Sequence, residues 1–107
     1  MSNEIITRIR EKTSYRSFLD LLEEEAAELI KASCKVKRAA FESDNPTPIE
    51  FAEARANLIE EAEDVCIVLM ALGILPKRKE IRNHPKWERW DRRLKEMHGK
   101  GEQEDEM

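Results

Sequence analysis

Leu22-Glu23-Glu24-Glu25-Ala26-Ala27-Glu28-Leu29 and Leu58-Ile59-Glu60-Glu61-Ala62-Glu63-Asp64-Val65 are two copies of one pattern, offset by 36 residues. Each sets Glu-Glu-x-x-Glu/Asp among small and aliphatic side chains. On a helix, successive residues turn by about 100°. With Glu25 at zero, Phe18, Leu22, Leu29, Ala32, Val36 and Ala40 fall within about 60° of it. With Glu61 at zero, Ala54, Leu58, Val65, Val68 and Leu72 surround it in the same way. Glu25 and Glu61 thus sit in the middle of apolar stripes. Glu28 and Asp64 lie at the edge of those stripes, and Glu24 and Glu60 lie further round.

Helix signals flank both copies. Asn3 is a candidate cap for a short first helix to about Lys12, and Thr13 or Ser14 for a second running from Tyr15 to about Phe41. The second segment has no Gly or Pro and is rich in good helix formers. Ser43-Asp44-Asn45-Pro46-Thr47-Pro48 breaks it. Thr47 at N-cap, Pro48 at N1 and Glu50 at N3 of a capping box are expected to restart the chain. That third helix runs to about Leu72, with Gly73 at C′ and Pro76 forbidding continuation. After a basic turn, His84-Pro85 opens a fourth helix to about Met97, stopped by Gly99. The expectation is an all-α fold: a small four-helix bundle-like domain over residues 1–100, with two long antiparallel helices and shorter flanking ones. Residues 101–107 are expected to form an acidic, disordered tail.

Composition agrees. The 107 residues include only 3 Gly and 4 Pro, 39% are charged and 6% aromatic, which disfavours β architecture. The net charge of −4 gives no general reason to expect nucleic-acid binding, and it conceals a split. Met1 to Pro76 carries a net of −6, Lys77 to Lys100 a net of +6, and the last seven residues −4. Cys34 and Cys66 lack metal-knuckle or redox spacing and read as reduced thiols, which together with the missing signal peptide suggests a cytoplasmic protein. The longest uncharged apolar run, Val65 to Leu75, is too short for a bilayer, which needs about 20 residues.

Acids on an apolar seam demand compensation. A buried, unpaired carboxylate costs several kcal/mol, against a total stability of about 5–15 kcal/mol. Hard divalent cations with oxygen ligands supply that compensation, and magnesium also accepts substrate phosphates as ligands. A di-iron carboxylate bundle would need Glu-x-x-His pairs, and neither His84 nor His98 follows a Glu at that spacing. A Glu-rich solvated face is the plain alternative for either motif alone; two copies in one phase on adjacent helices argue against it.

The pair Glu24-Glu25-x-x-Glu28 and Glu60-Glu61-x-x-Asp64 resembles the all-α nucleoside triphosphate pyrophosphohydrolases, the MazG-like proteins, whose relatives include phosphoribosyl-ATP pyrophosphohydrolase and the dimeric dUTPases. The likeness covers about Leu19 to Leu72. It extends more loosely through Lys86-Trp87-Glu88-Arg89-Trp90-Asp91-Arg92-Arg93-Leu94 to small phage-type members. The 32 residues between Glu28 and Glu61 make a longer gap than the family's, the excess falling near Asn45-Pro46-Thr47-Pro48. The resemblance implies magnesium-dependent cleavage of (deoxy)nucleoside triphosphates between the α and β phosphates, with manganese able to substitute. It implies Glu25, Glu28, Glu61 and Asp64 as metal ligands, and Glu24 and Glu60 as candidates for water activation.

Substrate contacts are expected from cations. Lys86, Arg89, Arg92 and Arg93 on the fourth helix suit phosphate, with Lys31 and Lys35 as competitors nearer the motif. Trp87, Trp90, Tyr15 and Asn57 are candidates for base recognition, although the tryptophans also read as core anchors. On the third helix Cys66, Ile67, Met70 and Ala71 are apolar away from the acids, so a homodimer or dimer of dimers is expected. Two other readings stay open: a catalytically idle helical assembly module, and phosphoribosyl-ATP hydrolysis.

Overall fold

A computed structural model describes the backbone of residues 3–41, 44 and 49–106, and side chains among these except at 3 and 100–106. The described residues are all-helical where regular: α1 (Asn3–Lys12), α2 (Tyr15–Ala40), α3 (Phe51–Ala71), α4 (Arg78–Arg82) and α5 (Lys86–Glu106). The chain divides into two compact units, Met1–Leu75 and Pro76–Met107, where the sequence suggests one domain over residues 1–100. The division falls where the chain changes from acidic to basic.

In the first unit α2 and α3 pack along their length. Phe18 and Leu21, near the start of α2, line one cavity with Ile67, Val68, Met70 and Ala71 at the end of α3, so the helices are antiparallel. The buried hydrophobic residues are Phe18, Ala32, Ala54 and Val68. These lie seven residues before and after Glu25, and seven before and after Glu61. Two turns carry a helix back to nearly the same phase, so the packed stripe passes through both glutamates.

Caps explain the boundaries. Ser14 accepts a hydrogen bond from the Ser17 N–H at 3.1 Å, as expected of an N-cap. At the end of α3, Gly73 adopts φ +75°, the left-handed conformation that glycine enters without a Cβ clash. The Gly73 N–H donates to Met70 O and the Ile74 N–H to Leu69 O, each at 3.0 Å, the two bonds of a Schellman motif. Arg10 of α1 serves the same helix end, donating from Nε to Ala71 O at 2.9 Å and from a terminal nitrogen to Met70 O at 2.7 Å. A guanidinium there opposes the negative end of the helix dipole and ties α1 to α3.

Three boundaries differ from expectation. First, α3 begins at Phe51 with Glu50 itself at the cap, extended and without a side-chain cap bond; Thr47 and Pro48 lie outside the described residues. The later start puts Ile49 at N′ and Ala54 at N4, the two positions of a hydrophobic staple. Second, the basic turn contains a helix, α4, whose first amide is met by Glu80: the Lys77 N–H donates to its carboxylate at 3.3 Å. Third, α5 continues through Gly99 to Glu106 rather than stopping at Gly99. Glycine in a helix interior costs about 1 kcal/mol relative to alanine, which weakens a helix without ending it.

Ala32 and Ala54 retain no exposed surface, so their small side chains permit close approach of α2 and α3. Ala32→Leu should overpack this contact and destabilise the protein by about 1–3 kcal/mol in urea denaturation. An unchanged midpoint would mean that the two helices do not meet there.

Candidate functional site

Packing of the two motif helices brings three acids together. One carboxylate oxygen from each of Glu25, Glu61 and Asp64 lies within 4.8 Å of the others, and all three residues are half-buried. Glu25 comes from α2, Glu61 and Asp64 from successive turns of α3. Each helix supplies its acid from the stripe that also supplies the core.

Electrostatics mark Glu61 as the centre. Its carboxyl is pushed above the ordinary glutamate range, first by loss of hydration and then by the charges of Asp64, Glu25, Glu28 and Glu60. Loss of hydration and like charges both disfavour the ionised form. No polar or charged residue among the described ones is buried. The acids therefore stay open to water, and the cost anticipated for fully buried carboxylates is reduced.

Glu28 does not join the three. It is exposed and pairs with Lys31, Nζ to Oε1 at 3.4 Å, the side chains being 51% and 68% exposed. Its charge still reaches Glu61. Glu24 and Glu60 are exposed on the flanks, Asn57 is half-buried one turn before Glu61, and Lys35 is half-buried on α2. Tyr15 is 71% exposed at the first position of α2.

The basic candidates fall in the second unit. Lys86, Arg89 and Arg93 line a cleft of about 520 Å³ together with Trp90. Arg92 is not among its lining residues, lying about 120° from Lys86 round the helix, so three of the four expected cations share the cleft and Trp90 joins them as its fourth residue. The spacing of these four, i, i+3, i+4 and i+7, is a helix-face signal present in the sequence. Trp87 and Trp90 are about half exposed, so they are not fully buried anchors. Their rings stack with centroids 6.1 Å apart and planes 8° from parallel. Trp87 Nε1 donates to Ile81 O at 2.6 Å, joining α5 to α4.

Three carboxylates converging from two helices form a hard oxygen donor set. Such sets fit magnesium, manganese or calcium rather than softer metals. The number of donors also leaves coordination positions for water or phosphate. The chain matches no protein-family model, no curated protein and no solved structure.

A carboxyl raised in the folded state binds more protons there than in the unfolded chain between the two titration points. Glu61 therefore weakens the metal-free fold at neutral pH, and that effect fades as pH falls through the raised value toward the ordinary glutamate range. Glu61→Gln should accordingly stabilise the metal-free protein at about pH 7, an advantage that fades as pH falls through the raised value and is gone below the ordinary glutamate value of about 4.3. A wild-type-to-variant difference in melting temperature that stays constant from about pH 7 to below about 4.3 would refute the shift.

Proposed function

We propose that the chain is a magnesium-dependent nucleotide pyrophosphohydrolase that converts a (deoxy)nucleoside triphosphate to the monophosphate and pyrophosphate. The observation that carries this reading is the convergence of Glu25, Glu61 and Asp64. The resemblance of the paired Glu-Glu-x-x-Glu/Asp motifs to the MazG-like enzymes supplies the reaction. Glu25, Glu61 and Asp64 would hold the ion, and Glu28, paired with Lys31, would act on it through its charge. Magnesium, when bound, supplies charge neutralisation for the phosphates and the leaving group.

The protein's own groups perform the rest. The cluster fixes where phosphate can approach, because it presents negative charge to everything except a cation-bound substrate. Glu24 and Glu60 flank it and can accept a proton from an attacking water. Water adds to the α-phosphorus, the bond to the bridging oxygen breaks, and pyrophosphate leaves with the electron pair. Asn57, half-buried beside Glu61, can donate from its amide to a substrate oxygen, and Lys31 and Lys35 can offset phosphate charge. Nothing favours the idle-module or phosphoribosyl-ATP readings over this one.

A nucleotide panel with monophosphate and pyrophosphate resolved tests the reaction. Glu25→Gln and Glu61→Gln should each lower magnesium-dependent turnover by roughly a hundredfold or more, since even groups behind the metal ligands are worth about 10–100-fold. Glu23→Gln and Glu63→Gln, on the outer faces, should leave it within about twofold. Equal losses from inner and outer positions would remove the cluster from the mechanism.

Assembly belongs to the same proposal. Ile67 is 62% and Met70 46% exposed on α3, and a second copy of the chain is the occupant that would cover them. Light scattering at micromolar concentration should return a dimer mass or its multiple; a monomer mass would discard this part.

A further inference from the structure

We infer that the second unit carries a nucleotide-binding cleft of its own, with Trp90 as the stacking platform and Lys86, Arg89 and Arg93 as the phosphate clamp. In identifying the ligand as a nucleoside polyphosphate, this inference rests on the hydrolase reading. Its geometry does not, because every residue involved belongs to Pro76–Met107.

Two adjoining hollows make the case. The larger, about 520 Å³, is lined by Lys86, Arg89, Trp90 and Arg93. The smaller, about 280 Å³, is lined by Ile81, His84, Lys86, Trp87 and Trp90. Lys86 and Trp90 belong to both. One hollow is thus cationic and the other mainly apolar and aromatic, with an indole and an ammonium at their junction. A nucleotide has the matching form, a flat π-system joined to several negative charges. Both hollows are open to solvent, and every residue that lines them is exposed, so a ligand would lie along them rather than be enclosed.

The side chains are held for the task. The two indoles are nearly parallel, and the Trp87 N–H is spent on Ile81 O, which fixes that ring as backing for Trp90. Trp90 keeps 55% of its surface exposed, and an exposed indole beside arginine can take a base on its face. The Lys86 N–H donates to His84 Nδ1 at 3.0 Å, anchoring the start of α5 beneath the cleft. Two of the nearby acids of α5 lie away from this face, while Glu96, one turn beyond Arg93, borders its far end. Asp91 lies across the helix and pairs with Lys95 at 3.1 Å, and Glu88 falls on the same far side.

The chain's only two tryptophans are Trp87 and Trp90, so tryptophan emission, excited selectively over Tyr15, reports on this cleft. The full-length protein is titrated with ATP in EDTA, which keeps divalent ions out of the acidic cluster, with equilibrium dialysis measuring binding directly. ATP should bind saturably and quench the emission, and inorganic tripolyphosphate, lacking a base, should bind at least about tenfold more weakly, consistent with a stacking contribution. Arg89→Ala and Arg93→Ala should each weaken ATP binding by about tenfold or more, the value of one charge-assisted contact. Both positions are exposed, and unchanged far-UV dichroism verifies the fold. Lys95→Ala, across the helix, should bind as wild type. Glu61→Gln should also bind ATP normally in EDTA, so loss of turnover and loss of this cleft are read separately. The inference is overturned by absence of saturable binding at millimolar ATP, by arginine variants equal to wild type, or by tripolyphosphate binding as well as ATP. Tighter binding of a short oligothymidylate than of ATP at equal nucleotide concentration overturns it too, in favour of a single-stranded nucleic-acid surface.

Discussion

The repulsion among Glu25, Glu61 and Asp64 is the constraint around which the first unit is organised. Phe18, Ala32, Ala54 and Val68 draw α2 against α3 by burying apolar surface. Because the acids lie on the same stripes, the packing that forms the core also forces the three charges together. Hydration limits the conflict: the acids are half-buried rather than sealed, so the fold can exist while Glu61 carries the strain as a raised affinity for protons. A proton relieves one charge, whereas a divalent cation relieves two and satisfies several oxygens at once. Under the proposed function, affinity for a hard cation and the tension of the metal-free state would have one cause.

Much of this was legible because a helix converts residue number into direction. Seven-residue steps from Glu25 and Glu61 reach the buried residues, so the phase of the acids relative to the core follows from spacing alone. Gly73 was legible for a similar reason, since its role depends on local backbone chemistry. The asymmetry between Glu28 and Asp64 was not. They occupy the same phase in the two motifs, but phase sets direction and not partnership. Three residues beyond Glu28 stands Lys31, which pairs with it; three beyond Asp64 stands Ile67, which cannot. Asp64 is left to the cluster, and Glu28 is drawn toward its own helix.

Tertiary contacts account for the other differences. Arg10 reads as one more surface cation in a charged sequence, and only the approach of α1 to the end of α3 gives it two carbonyls to cap. Arg92 reads as a partner of Arg89 and Arg93. Which cations share a cleft depends on where Trp90 and Lys86 stand around α5, and they exclude it. Helix limits were least legible where two weak signals competed, as at Glu50 against Thr47 and at Gly99 against the continuing α5.

The charge split gives the two units opposite relations to the same class of ligand. The acidic cluster repels a polyphosphate until a cation intervenes, so under the proposed function its engagement is conditional on metal. Under the further inference the basic cleft would attract a polyphosphate with no cation, and its exposed charges would leave that attraction open to screening by salt over about 10 Å. Added magnesium should therefore act in opposite directions, enabling the cluster while competing with Lys86, Arg89 and Arg93 for phosphate oxygens. Under the two readings together, the chain would hold free nucleotide through the clamp and metal-bound nucleotide through the carboxylates. The balance between the two would then follow the concentration of the divalent ion.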